Sequence, residues 1–376
     1  MGDRMEITAP LPPLDVSIVH VQITIFSRDS GYVAYIINEE GAFPISINLK
    51  MHDVQNLNRL LQEAIQQVAN GFGRGNVYEA ALDALMRAGN YAFQSIFSDP
   101  SSQRIIRNVL QEGTIVQIVS RDFFIPWELL YDGPLEGNAS IRNYWGMKYI
   151  ISRLIIQDKR QGAYMPPTLD TKCPKIGLIT SDRLPFVEKQ EFPALKALHR
   201  KKRIQLVSLR PLSTTQRNIE LAEFGRFLGQ EIHVLHFACH AYEQDPIEKS
   251  YLFITKDFSV SIIDFVVGGY ALQYSPFVIL NACLTGVINP LYTSSWAEKL
   301  WELGARGVLA TDFRVPDWFG AAFSNELYQH LLTGMSVGET LLTIRRNLWN
   351  EQRNPLGLAY ALYSSPSIKI SRARKG

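Results

Sequence analysis

The sequence predicts an α/β fold around a mostly parallel sheet, preceded by an α+β region. In the second half of the chain, short apolar segments of strand type alternate with helical patterns, which is typical of βαβ units. The first half opens instead with strand patterns that are followed by two long helical patterns. With 376 residues, of which 46% are hydrophobic, the chain is long enough for two domains with proper cores.

The N-terminal region begins as an antiparallel meander. Residues 17–27 alternate between apolar and polar side chains, and residues 31–50 are interrupted by Glu39, Glu40 and Gly41, which signal a turn. Apolar residues then recur at helical spacing. The predicted elements that follow are helices over 52–72 and 78–97 and strands over 114–120 and 144–156.

Residues 157–173 are polar, contain Pro166 and Pro167, and are predicted to link two domains. The linker would separate an N-terminal α+β regulatory domain, residues 1–156, from an α/β domain, residues 174–376. Predicted strands of the second domain are 174–181, 203–209, 231–239, 276–283 and 305–311. Predicted helices are 192–202, 214–230, 294–304, 319–334 and 336–352.

Charge and cysteine content exclude several classes of protein. Lys and Arg number 38 against 36 Asp and Glu, and a net charge of +2 gives no argument for binding nucleic acid or an anionic membrane. Three cysteines in a chain this long do not make a disulfide framework. The start MGDRMEITAP has no secretory pattern, and no long apolar stretch suits a membrane span. We therefore expect a soluble protein in a reducing compartment, the cytoplasm.

The chemistry is expected where the predicted strands end, because ligands of open parallel sheets lie beyond their carboxyl ends. His240 follows the third strand of the second domain and Cys283 ends the fourth. Neighbouring strands lie about 5 Å apart, so the imidazole would reach the thiol and accept its proton. Backbone N–H groups of Cys283 and Ala241 would stabilise an oxyanion.

The order of motifs resembles the CHAT domain, a family of caspase-like cysteine peptidases of clan CD that are related to separase. The segments that carry the resemblance are FFIPWELLYDG (123–133), HVLHFACHA (233–241), VILNACLTG (278–286), ELGARGVLATDFRVPD (302–317), LYQHLLTGMSVGETL (327–341) and NPLGLAYALYSSP (354–366). The resemblance covers roughly residues 115–370 and implies a caspase-like three-layer sandwich, with His240 and Cys283 as the catalytic pair.

The resemblance also implies a function. It predicts a cysteine endopeptidase that needs no cofactor and cuts a specific protein in a prokaryotic defence or regulated cell-death system, such as a gasdermin-like effector. A separate activator or sensor protein, or assembly through residues 1–156, would switch it on. The family usually has Gly where Ala241 stands and a polar residue where Leu284 stands. These two departures motivate the alternative, a catalytically weak caspase-like scaffold that binds protein partners.

The other cysteines and histidines have simpler interpretations. Cys239 precedes His240 on the strand, so alternation turns it to the opposite face, where it would pack in the core. Cys173 lies in the linker and is expected to be inert. His233, His236, Cys239 and His240 are close in sequence, but a strand places them on both faces, which disfavours a zinc site. No metal is expected.

Four residues are candidates for binding substrate. In caspase-like folds the residue two before the nucleophile, here Asn281, lies near the pocket for the side chain that precedes the cut. Asp182 follows the first strand of the second domain and would supply a carboxylate, whereas Arg183 next to it would favour an acidic partner. The alternatives to Asp182 are Asp312 and Asp317, which follow the fifth strand. Either of the last two would instead cap the following helix. These residues favour a basic or neutral substrate side chain.

Overall fold

A computed structural model describes residues 19–136, 140–155, 168–212, 216–244, 246–255, 257–284 and 290–371, with the backbone alone for 282–284, 290–294 and 371. Its strands are β1 (Val21–Arg28), β2 (Gly31–Asn38), β3 (Gly41–Ile47), β4 (Ile115–Ser120), β5 (Ile150–Ile155), β6 (Thr168–Asp170), β7 (Lys175–Thr180), β8 (Gln205–Ser208), β9 (Val234–Tyr242), β10 (Tyr251–Thr255), β11 (Phe258–Ser261), β12 (Phe277–Leu284), β13 (Gly307–Thr311), β14 (Tyr360–Tyr363) and β15 (Lys369–Ser371). Its α-helices are α1 (Met51–Gly71), α2 (Asn76–Ile96), α3 (Pro100–Val109), α4 (Trp145–Lys148), α5 (Phe192–Arg200), α6 (Arg217–Leu228), α7 (Ile262–Val267), α8 (Pro290–Glu302), α9 (Asp317–Leu331) and α10 (Val337–Gln352).

One large mixed sheet runs through the described part of the chain. Its strands lie in the order β11-β10-β9-β12-β13-β14-β5-β4-β1-β2-β3, while β7 pairs with β9 and β8 pairs with β7. Most of these pairings are parallel, among them β7–β8, β7–β9, β9–β12 and β12–β13. The carboxyl ends of β7, β9, β12 and β13 therefore meet at one edge of the sheet.

Helices cover both faces of this sheet, as the predicted α/β fold requires. On one face, the first core contains Leu61, Leu85, Leu195, Phe319 and Ile344, from α1, α2, α5, α9 and α10. On the other face, Phe224, Phe265 and Trp296, from α6, α7 and α8, form the second core. The apolar runs of the central strands follow from this arrangement, because both of their faces are buried.

Strands from both predicted domains join in the same sheet. Tyr363 on β14 pairs with Arg153 on β5 in parallel, which connects the N-terminal strands to the C-terminal ones. Most of the predicted linker lies outside the described residues, and its end contains β6, which pairs with β15. The domain boundaries at 156 and 174 stay a prediction.

Several sequence-based elements differ from the structure in their bounds. The strand predicted over 144–156 begins only at Ile150, because residues 145–148 form α4. The strand predicted over 231–239 continues to Tyr242, since β10 pairs with its last residues. Helices α3 and α7 had no counterpart among the predicted elements. The 43 residues from His240 to Cys283 leave room for a small hairpin, and the β10–β11 hairpin lies there. Among the described residues, no helix is long and apolar enough to cross a membrane.

Candidate active site

His240 and Cys283 are direct neighbours on adjacent parallel strands. The register of β9 and β12 pairs Ala238 with Asn281 and His240 with Cys283. Residues that pair in register project to the same face, and strands in a sheet are about 4.8 Å apart. The structure describes Cys283 by its backbone only, and the register places that backbone directly beside His240.

The ring of His240 lies at the end of β7. Its Nε2 is 3.4 Å from the carbonyl oxygen of Arg183, which follows that strand. The Arg183 guanidinium stacks over the ring of Phe253, with 4.8 Å to the centroid, and Phe253 pairs with His240 across β9 and β10. The imidazole is half-buried, so a substrate and solvent still reach it.

Asp317 supplies negative charge beside His240. This residue is the first of α9, and its Oδ2 accepts the backbone N–H of Phe186 at 3.0 Å. Burial raises the pKa of the Asp317 carboxyl, while the Phe186 hydrogen bond and the charge of His240 oppose that rise. The pKa of the Asp317 carboxyl is therefore sensitive to the charge of His240.

A buried polar group underlies this site on the same face of β9. The Nδ1 atom of His236 lies 2.9 Å from the Tyr328 hydroxyl of α9, and its Nε2 lies 3.0 Å from Glu191 Oε1. All three side chains are buried, and the Glu191 charge contributes to the raised pKa of Asp317. This group fixes α5 and α9 against the strand that carries His240.

Ala241 lies within a strand rather than in a turn. It pairs with Leu252 of β10 on one side and with Leu284 of β12 on the other. Its φ is not among the positive values of the described residues, so the backbone there accepts any residue. The chain after His240 therefore continues as a strand, and Ala in place of the Gly usual in the family carries no conformational penalty there. The oxyanion role of Ala241 stays a prediction.

Asn281 is buried, with both ends of its amide engaged. Its Nδ2 donates to the Gly320 carbonyl at 3.1 Å, and its Oδ1 accepts from the Tyr360 hydroxyl at 2.8 Å. The Gly320 backbone comes so close that a Cβ there would lie 3.0 Å from Asn281 Oδ1. The side chain thus ties β12 to α9 and β14, and its predicted substrate contact stays untested.

Asp312 is also buried, in a charge cluster that we define as Glu128, Arg153, Asp312, Arg345 and Tyr363. Its Oδ2 pairs with Arg153 Nη1 at 2.5 Å, and its Oδ1 accepts from the Tyr363 hydroxyl at 3.2 Å. The carboxylate of Asp312 is thereby engaged inside the protein, and the substrate-binding role predicted for it stays a prediction.

Asp182 lines a cavity of about 440 Å³ at the carboxyl edge of the sheet, formed where β7, β8 and β10 end. Its other acidic lining residues are Glu188 and Asp257, and its single lining cation, Arg210, pairs with Glu220 at 3.0 Å. Ile179, Val187, Phe192 and Leu212 are among the apolar lining residues. A cavity of this composition suits a basic side chain with an aliphatic stem.

The remaining candidates lie away from this edge or on the other face. Cys239 is fully buried in the second core, on the face opposite His240, and Cys173 is half-buried at the start of β7. Within the described ranges, no three His, Cys, Asp or Glu side chains come close enough together to hold a metal ion.

The sequence analysis missed the residues that support the site from a distance. Glu191 and Arg153 carried no motif and no spacing signal, and Tyr328 lies in the segment 327–341 but had no role assigned to it, because the partners of all three lie far away in the chain. A charged residue within an apolar helical pattern, such as Glu191 beside Phe192, is a weak signal of a buried partner.

Comparisons with known proteins agree with this geometry. The family model for the CHAT domain matches residues 118–368. Two crystal structures of the Saccharomyces cerevisiae separase–securin complex contain a similar chain, each with a TM-score of 0.52, at 12% and 11% identity. These matches cover 94% and 93% of this chain and 30% of each relative, so the likeness concerns the fold, which confirms the predicted caspase-like α/β architecture. No curated protein matches the chain.

Proposed function

Since the chain belongs to the CHAT domain family and has a caspase-like protease fold, we propose that it is a cysteine endopeptidase with His240 and Cys283 as its catalytic dyad. The observation that carries the proposal is the register of β9 and β12, which makes these two residues direct neighbours at the carboxyl edge of the sheet. A nucleophile and its base need this proximity.

The reaction uses an acyl-enzyme intermediate. The Cys283 sulfur attacks the scissile carbonyl carbon and forms a thioester, while His240 takes the thiol proton and passes it to the leaving amine. Water then hydrolyses the thioester and regenerates the thiol. Cys283 lies beyond Leu280, the last residue of β12 that pairs with β13, which supports its backbone N–H as an oxyanion donor.

Substrate recognition is assigned to the cavity lined by Asp182. This cavity carries three carboxylates and an apolar wall, so a Lys or Arg side chain beside the scissile bond is the favoured occupant. Asp317, next to His240, adds negative charge to the same edge of the sheet. Asn281 and Asp312 are left out of this pocket, since buried partners engage both side chains.

The substrate and the regulator are proposed to be proteins. The similar chains come from complexes of separase with securin, which supports control of this chain by a separate protein partner. Following the family resemblance, we place it in a cytoplasmic defence or cell-death system that acts on a gasdermin-like or other effector protein.

Covalent labelling tests the dyad without knowledge of the substrate. A peptide probe with an acylating group is expected to modify Cys283 in the full chain at one site, as located by mass spectrometry. His240→Gln should slow the labelling at least about 100-fold, and Cys173→Ala should leave it unchanged. Equal labelling of the His240→Gln variant would favour the scaffold alternative.

A further inference from the structure

A groove between α5 and α9 lies away from the candidate active site. It has a volume of about 360 Å³, which suits one or two side chains of a ligand. Its lining residues are Ala194, Leu195, Ala197, Leu198, Lys201, Arg203, Asn325, Tyr328 and Gln329. Since α5 ends shortly before β8 begins, the groove opens toward the amino edge of the sheet, opposite to His240.

Four consecutive cations, Arg200 to Arg203, stand at the rim of this groove. The first three are exposed, and none of the four forms an ion pair with a residue that the structure describes. Only Arg203 has a clear structural task, because its Nη2 donates to the Leu332 carbonyl at the end of α9. In a chain with a net charge of +2, this is a strong local concentration of positive charge.

Lys202 adopts a backbone conformation that is costly for a lysine. Its φ is +54°, a left-handed value at the position after a helix where glycine is favoured. The chain nevertheless holds a long cationic side chain at this position. This conformation ends α5, as it does at Arg353 after α10, and the position keeps its cation on the surface.

We propose that this groove, with its cationic rim, binds an acidic segment of a partner protein that inserts an aliphatic side chain. The alanines and leucines of α5 supply an apolar floor, which favours burial of a leucine or valine. The cations at the rim then meet glutamate or aspartate on either side of it. The site does not depend on the proposed peptidase activity.

A peptide fits this groove better than a nucleic acid. Single-stranded nucleic acids bind where bases stack on exposed aromatic rings. The one aromatic lining residue, Tyr328, is buried, and its hydroxyl is engaged with His236. The apolar floor offers no accessible aromatic ring on which a base could stack. A nucleic acid could therefore use only contacts between its phosphates and the cations of the rim.

Fluorescence anisotropy with the full chain tests the proposal. The probe is a labelled peptide, LEELLEELLEEL, compared with the same peptide carrying Ser for Leu, the same peptide carrying Lys for Glu, and a single-stranded RNA of equal length. The acidic leucine peptide should bind at least about tenfold more tightly than each of the others. Lys201→Glu should weaken it about tenfold, and Lys249→Glu, a reversal of another exposed lysine, should not.

Each remaining outcome contradicts the proposal. Tighter binding of the RNA would identify the rim as a nucleic-acid site instead. Equal binding by the Ser peptide would show that the apolar floor plays no part. Unchanged affinity of the Lys201→Glu variant, or no binding of the acidic peptide up to millimolar concentration, would place the partner elsewhere. None of these results depends on labelling of Cys283, so a failure here leaves the proposed function untouched.

Discussion

Arg153 on β5 and Asp312, next to the end of β13, form a buried ion pair with 2.5 Å between Nη1 and Oδ2. Arg153 also pairs with Glu128, and its guanidinium contacts the Tyr363 hydroxyl at 3.1 Å. These contacts join residues of the N-terminal strands to the strands beside the candidate active site. If the two regions moved apart, buried charges would lose their partners at a large cost in free energy. The position of each region therefore depends on the other.

Loss of Arg153 is expected to be strongly destabilising. Arg153→Met leaves the carboxylates of Glu128 and Asp312 buried without their main cation, which costs about 3–5 kcal/mol of unfolding free energy. The loss of unfolding free energy is measured by denaturant titration of the variant and the wild type. The matched control is Arg217→Met, which breaks an exposed pair with Asp264 and should cost at most about 1 kcal/mol. Similar losses in the two variants would mean that the buried cluster contributes no more than a surface pair.

The charge cluster also predicts a pH dependence of stability. Burial raises the pKa of Asp312 from 3.8 to about 6, although Arg153 opposes the rise. Between pH 3.8 and about pH 6, Asp312 therefore holds a proton in the folded state but not in the unfolded chain. This contribution to stability is fully present below pH 3.8, the pKa of the aspartate in the unfolded chain, and is lost as the pH rises through about 6.

Comparison of the wild type with Asp312→Asn isolates this effect from the other titrating groups. The amide cannot ionise, so the stability of the wild type relative to the variant should increase as the pH falls from about 7 to about 5. Unfolding free energies measured by denaturant titration across that range provide the test. A difference that is constant, or that shrinks with falling pH, would contradict the raised pKa.

Local patterns predicted the central strands and the positions of His240 and Cys283. The motifs lie on single elements, and parallel neighbours bring their carboxyl ends together. In contrast, the sequence could not show that the side chains of Asn281 and Asp312 are buried and bound to residues of other elements. The residues that cover them, Gly320 and Arg153, belong to other elements, and such burial is a property of tertiary packing rather than of periodicity.

The β10–β11 hairpin gives a second example of this limit. The sequence leaves room for a small hairpin between His240 and Cys283, but it indicates neither the bounds of the two strands nor their contact with the site. The structure brings Phe253 of β10 beside His240 and Thr255 to the cavity of Asp182. The alternation of strands and helices predicts the parallel strands of this sheet. It does not predict an antiparallel hairpin that is inserted between two of them and that contributes side chains to the site.

Asn281 is expected to matter for stability. Asn281→Ala removes the hydrogen bond that the amide donates to the Gly320 carbonyl and the one that it accepts from the Tyr360 hydroxyl, and each typically contributes about 0.5–1.5 kcal/mol to stability. Thermal unfolding should show a lower Tm. The preference of Cys283 labelling among probes with basic, neutral and acidic side chains should stay as in the wild type. A changed preference would instead support the substrate-binding role predicted for Asn281.

Asp182 is expected to set the preference for a basic side chain. Its carboxylate lines the acidic cavity at the carboxyl edge of the sheet, so Asp182→Asn should slow the labelling of Cys283 by a probe with arginine before the reactive group at least about tenfold. A leucine probe, which needs no carboxylate, should react at an unchanged rate. Asp170→Asn, at another exposed aspartate on β6, is the control and should alter neither rate. An equal loss with both probes would assign Asp182 a structural role, and unchanged rates with both would place the specificity pocket away from this cavity.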